Sequence, residues 1–261
     1  MQRGGGQQVQ LQGIPFPYSQ REQGASLELF KFENRSESIA NWAQENNLGG
    51  DKQWGIISQA ESKEENLFLS LGFRRVQKTK LKFQNGRVEK IQEETTEPEI
   101  GEFHFRRDAG LLELYSIGAK QKSLLLKSLS ECFGKEHLSR LYLPKDAMTS
   151  LMAEAAEVNS VSLTGLGNPF FNDASLAGAD PINSKTYREL SSGGEIKSFK
   201  GKFLLQSDSG EALPFSVSLY SSCKLRFFGG QAPIRQGDIE DFAKKVSDIA
   251  TTSEEATLTA T

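Results

Sequence analysis

The chain has 261 residues, 37% of them hydrophobic and 25% charged, and a formal net charge of −3. That composition suits a globular protein and excludes a polycation built to coat nucleic acid, and no run of about 18 apolar residues is present to span a bilayer. Two cysteines and two histidines offer no disulfide framework and little for a serine triad or a multi-histidine metal centre.

The Gln- and Gly-rich start, 1–24, and the Thr/Ser/Ala tail, 251–261, read as flexible ends that bury too little surface to offset their ordering entropy. The start has no apolar signal core, so the cytoplasm is the expected compartment. Between the ends, Ser26 to Phe32 alternates as a half-buried strand does, and Ser36 opens a short helix carrying Ile39, Trp42 and Ala43. Trp54 to Ser58 and Asn66 to Phe73 read as strands. The run from Thr79 to Ile91 is a hairpin turning at Asn85-Gly86, a dipeptide that supplies the positive φ angles of a type I′ turn. Counting outward from that turn pairs Phe83 with Val88 and Lys82 with Glu89. A second hairpin joins 102–107 to 111–115 through Asp108-Ala109-Gly110.

The helix that follows begins at Ala119-Lys120-Gln121-Lys122, buries Leu125, Leu129, Cys132 and Phe133 by spacing, and stops at Gly134. Arg140 to Leu143 reads as a strand, and Pro144 suits the first position of a helix burying Met148, Leu151 and Met152. Val158 to Leu163 returns as a strand. This strand–helix–strand unit is the one place where parallel pairing is expected. Residues 165–184 read as a long loop rich in Asn, Asp, Gly and Pro. A short helix from Lys185 to Leu190 then leads into a meander over Ile196–Leu205, Phe215–Tyr220 and Lys224–Phe228. The closing helix buries Ile239, Phe242, Val246 and Ile249.

The expected fold is α+β: a mostly antiparallel sheet of hairpins and a meander, with amphipathic helices packed on one face. Antiparallel strands followed by a helix occur twice, which leaves pseudo-duplication open, with an N-terminal half over 25–157 and a C-terminal half over 158–250. One core is expected to hold Phe83, Phe105, Leu112, Leu125, Leu129 and Phe133, and the other Phe203, Phe215, Phe227 and Phe242.

The functional signal is charge. A helix N-terminus already carries partial positive charge, so Lys120 and Lys122 make it locally anion-hungry. Arg74, Arg75, Lys80, Lys82, Arg106 and Arg107 precede them, while Glu93, Glu94, Glu97 and Glu99 keep the acids apart. These eight basic residues form the candidate anion-binding set. They suit phosphate contacts that position nucleic acid, or a solvated strand face protected against edge pairing. In the long loop, Asp173 and Asp180 are weak candidates for a divalent ion, with turn formation the commoner role of such residues. His104, between Phe103 and Phe105, is expected to face away from them beside Arg106, at the surface.

No catalytic residue and no cofactor is assigned. The leading expectation is a non-enzymatic, cytoplasmic binding protein that docks nucleic acid first, or an acidic protein surface second, with assembly into a protein complex in keeping. The alternatives are a Mg-dependent enzyme acting on a phosphorylated or nucleotide substrate, and a structural subunit pairing through a sheet edge. No membrane association is expected.

Overall fold

A computed structural model describes residues 25–252 apart from 34–35, 50–51, 53, 62–65, 74–79, 85–86, 92–98, 116, 169, 207–211, 229–233 and 235. Its elements in chain order are β1 (Ala25–Phe32), α1 (Ser36–Glu45), β2 (Trp54–Glu61), β3 (Leu67–Phe73), β4 (Lys80–Gln84), β5 (Arg87–Ile91), β6 (Glu99–Arg106) and β7 (Leu111–Tyr115). There follow α2 (Ala119–Phe133), β8 (Leu138–Tyr142), α3 (Lys145–Glu154), β9 (Glu157–Thr164), β10 (Ala174–Ala177) and α4 (Lys185–Ser191). The chain closes with β11 (Glu195–Gln206), β12 (Ala212–Tyr220), β13 (Lys224–Phe228), α5 (Gln236–Ile249) and β14 (Thr251–Thr252).

One antiparallel sheet runs β10-β9-β11-β12-β13-β1-β7-β6-β3-β2, so the α+β reading holds. The order strand, helix, four strands, helix occurs twice. The first pass is β1-α1-β2-β3-β6-β7-α2, with the hairpin β4–β5 inserted as a separate two-stranded sheet. The second is β8-α3-β9-β11-β12-β13-α5, with β10 and α4 inserted. Strand β1 joins the two meanders. Ala25 to Glu28 pair with β13, and Phe30 to Phe32 pair along the same edge with β8.

Alternation in the central strands explains how both faces of the sheet are used. In β1, Leu27 and Leu29 enter one core with α3 and α5, while Phe30 and Phe32 enter another with α1 and α2. Strand β7 is buried along its whole length because it lies under both layers. The helices therefore do not share one face: each meander carries its own helices, on opposite sides of the common sheet. Of the expected cores, Phe105, Leu112, Leu125 and Leu129 are buried together with Phe133 packed against them, and Phe203, Phe215, Phe227 and Phe242 form the second. The side chain of Phe83 lies outside the described residues.

Other expectations need correction. Strands β8 and β9 do not pair in parallel; β8 lies on β1 and β14, and β9 lies between β10 and β11. Helix α3 carries the chain away from the β1 edge rather than back over the sheet beside β8. The stretch 165–184 contains an edge strand, β10, whose short Ala-Ser-Leu-Ala run carries too little pattern to read. Pro144 is the N-cap of α3 rather than its first residue. Cys132 is exposed, since Leu125, Leu126 and Leu129 supply the buried stripe of α2. The hairpin β4–β5 has the expected register, Phe83 with Val88 and Lys82 with Glu89, although the turn residues Asn85 and Gly86 lie outside the described residues.

Candidate binding surface

Of the eight basic residues taken from the sequence, the four with described side chains, Arg106, Arg107, Lys120 and Lys122, do not form one surface. Arg106 is buried, and its guanidinium engages Asp108 through two hydrogen bonds of 3.0 Å. It also lies 3.3 Å from a Glu240 oxygen on α5 and 3.6 Å from a Glu113 oxygen. Burial opposes the charge on Arg106, but the three carboxylates outweigh it and hold the guanidinium protonated. Arg106 is thus engaged inside the protein. Arg107 is exposed at the turn, at the opposite end of β7 from the start of α2, roughly 14 Å along the strand. The side chains of Lys80 and Lys82, on β4, and the residues Arg74 and Arg75 lie outside the described residues.

His104 does face away from Phe103 and Phe105, yet it is 1% exposed. That face is covered as well: the His104 ring packs 4.7 Å from Phe68 and 4.5 Å from Tyr115, centroid to centroid. Its Nδ1 lies 3.8 Å from Glu113, and the Tyr115 hydroxyl donates to the same carboxylate at 2.8 Å. Glu113 is fully buried, and burial pushes its carboxyl up to about 7. A single guanidinium faces Asp108, Glu240 and Glu113, so the most buried carboxyl is the one that gains from holding a proton. The group ties the β6–β7 turn to α5.

At the start of α2, Lys122 donates to both carboxylate oxygens of Glu28 on β1, at 2.7 and 3.0 Å. The helix has no acidic residue in its first turn, and Glu28 supplies that charge from a distant strand. Lys120 remains exposed.

The sheet beside Glu28 is a different environment. On β9, β11, β12 and β13 the apolar residues share a core with α3 and α5, and among the described residues no helix packs a core against the reverse side of these strands. The register stacks the outward residues into rows. One row is Ser26, Arg226, Ser218, Lys200 and Ser160; the next carries Phe228, Ser216 and Lys202. A third begins with Glu28 and Lys224, and Tyr220 lies opposite Ser198 at its far side. Arg140 on β8 continues the β1 edge opposite Phe30. Lys202, Lys224, Arg226 and Arg140 are exposed, and Lys200, Tyr220 and Phe228 are half-buried.

The Phe228 ring has the Lys200 ammonium 4.3 Å from its centroid and the Arg226 guanidinium 5.2 Å away. Cations held over an aromatic face in this way are attracted by its quadrupole. Acids occur at the margins. Glu28 is paired with Lys122, and Glu157 with Lys202, whose ammonium holds the Glu157 carboxyl below the usual range. Glu195 stands near Tyr142, where partial burial and that carboxylate together raise the phenol. Arg140, Lys200, Lys224 and Arg226 make no ion pair among the described residues.

No protein-family model and no curated protein sequence matches this chain.

The long loop contributes separate contacts. Asp173 meets Lys197 at 3.4 Å, and hydrogen bonding from Thr164 and then Lys197 keeps its carboxyl low. Asp180 adopts a left-handed backbone with φ 53° and accepts from Asn183. Among the described residues no three His, Cys, Asp or Glu side chains gather as metal ligands. No helix among the described residues is long and apolar enough to cross a membrane.

Sequence reasoning missed the open face for an identifiable reason. Alternation in Lys-Ser-Phe-Lys-Gly-Lys, Ser-Val-Ser-Leu-Tyr and Lys-Leu-Arg-Phe-Phe was legible as one polar and one apolar side. Nothing local says whether a polar side ends under a helix or in solvent. That follows from α2 belonging to the other meander.

Proposed function

We propose that this protein is a non-enzymatic binding protein that holds an anionic polymer against the open face of β11, β12, β13, β1 and β8. One observation carries the reading. Arg140, Lys200, Lys224 and Arg226 share that face without carboxylate partners among the described residues, in a chain whose formal charge is −3. Cations concentrated in this way on a mildly acidic molecule make a local attractive field for polyanions. The exposed Lys120 and the paired Lys122 stand at its border, since Lys122 reaches Glu28. Asp173 contacts Lys197 and Asp180 contacts Asn183, at separate points of the long loop.

The test is fluorescence anisotropy with a labelled oligonucleotide and labelled polyphosphate. Binding at micromolar protein in low salt is expected, with log affinity falling by about 3 per log unit of salt if four cations are neutralised. Lys200→Glu with Arg226→Glu should abolish it, and Arg107→Glu, at the far end of β7, should not. If neither polyanion binds the parent protein, the reading is wrong.

A second reading rests on a different place. β10 is an edge strand, and beside it Phe170 is 93% exposed and Phe171 44%. A strand edge with no partner among the described residues, flanked by apolar rings, is a template for strand addition. Sedimentation analysis of the parent and of a Phe170→Ser, Phe171→Ser variant tests self-association there; equal monomeric profiles would remove it.

A further inference from the structure

We infer that the polymer held by this face is single-stranded nucleic acid, with its backbone along the seam where β13 and β8 join β1 and a base on Phe228; this rests on the polyanion reading above. The cations along that seam are evenly spaced. Arg226 lies opposite Ser26, Lys224 opposite Glu28 and Arg140 opposite Phe30. Each step is two residues, about 7 Å along a strand, the length scale of one extended nucleotide. Two different strands, β13 and β8, lie end to end to continue that spacing.

The aromatic residues follow the same grid. Phe228 lies one step beyond Arg226, flanked by two cations, and Tyr220 stands on β12 near Lys224. Base-on-aromatic stacking is sequence-tolerant and combines naturally with a basic track. Between these groups the face carries serines, at 160, 198, 216 and 218 among others. Small side chains keep the surface low around the half-buried Phe228 and Tyr220 rings, and a base would stack on Phe228 by displacing a cation from its face. A duplex hides its base faces and is read by an element that enters a groove, and this face, built of strands within the sheet, projects none among the described residues. Polyphosphate would use the cations and have no use for Phe228.

The experiment compares five labelled probes with the full chain: a thymidine 15-mer, an abasic phosphodiester 15-mer of equal charge, a 15-base-pair duplex, polyphosphate and oligoglutamate. The thymidine strand should bind about tenfold tighter than the abasic strand, and Phe228→Leu should remove most of that difference while leaving the abasic strand unaffected. Tyr220→Leu provides an independent variant should Phe228→Leu fold poorly. If abasic strand and polyphosphate bind as tightly as thymidine strand, the inference fails while the polyanion reading stands. Tighter binding of the duplex, or binding of oligoglutamate in preference to the oligonucleotides, also overturns it. If none of the probes binds, both fail together.

Discussion

Lys122 Nζ, one turn into α2, sits 2.7 Å from a carboxylate oxygen of Glu28, a residue of the first strand. A helix that begins with two lysines is locally unfavourable, and this pair is how the fold resolves the conflict. The negative charge absent from the first turn comes from β1, and it arrives only when the helix has docked on the sheet.

The pair predicts an asymmetry. Glu28→Gln leaves Lys122 alone against the helix dipole and should cost about 1 kcal/mol. Lys122→Gln leaves a carboxylate near a helix N-terminus and should cost less. Lys122→Glu, placing two acids together, should destabilise, whereas Lys120→Glu at its exposed position should gain a few tenths of a kcal/mol. Urea denaturation midpoints of the four variants decide this; equal losses for Glu28→Gln and Lys122→Gln would refute it.

The carboxyl of Glu113 predicts a pH dependence. Burial raises it from 4.5 to about 7, so between those values the folded state holds a proton that the unfolded state has released. Stability from this group is complete below about pH 4.5, declines as pH rises, and levels off above about 7, a loss on the order of 3 kcal/mol. The groups facing it are His104, Arg106, Tyr115, Asp108 and Glu240. Glu113→Gln should remove the slope. The check is the difference in unfolding free energy between parent and variant at pH 5 and pH 8; a constant difference would contradict it.

The two thiols should separate cleanly. Cys132 is exposed, and Cys223 is buried with its thiol pushed up to about 12 by burial. Reaction with a thiol reagent at pH 8 should modify Cys132 alone in the native protein and both in denaturant. Cys223 also occupies a positive φ of 52° in the three-residue turn between β12 and β13, the position that hairpins of this kind usually give to glycine. Rapid modification of both thiols in the folded protein would show that the turn opens.

Gly55 and Gly49 form a matched pair. A Cβ on Gly55 would lie 2.6 Å from the Leu48 backbone nitrogen, whereas one on Gly49 meets nothing within 4 Å. Gly55→Ala should cost about 1–3 kcal/mol by overpacking against backbone, and Gly49→Ala should stay within about 0.5 kcal/mol. Thermal melts of the two variants provide the comparison.

Local pattern carried much of the fold. Val88 opposite Phe83 follows from turn chemistry, and Leu125 with Leu129 follows from helical period. What stayed hidden depends on which element covers which face. The same alternation that put His104 opposite Phe103 could not reveal Phe68 and Tyr115 packed over it. Arg106 looked like an external cation because Asp108, two residues on, reads as a turn residue, and its other carboxylate partners, Glu113 and Glu240, lie on another strand and on the last helix. Arg226, Lys224 and Arg140 form a line only because β8 and β13 meet end to end on β1.

That meeting has a consequence for biosynthesis. β1 is the first described strand to leave the ribosome, yet the partner of Ala25 is Phe227, about 200 residues later, and such long-range pairing is slow to form. Until β13 is made, the Ala25–Glu28 part of that side of β1 has open hydrogen-bonding groups, and the core that takes Leu27 and Leu29 lacks β13 and α5. A nascent chain stalled before residue 224 should therefore need a holding factor, and truncation of the last strands should yield aggregates rather than a stable N-terminal fragment.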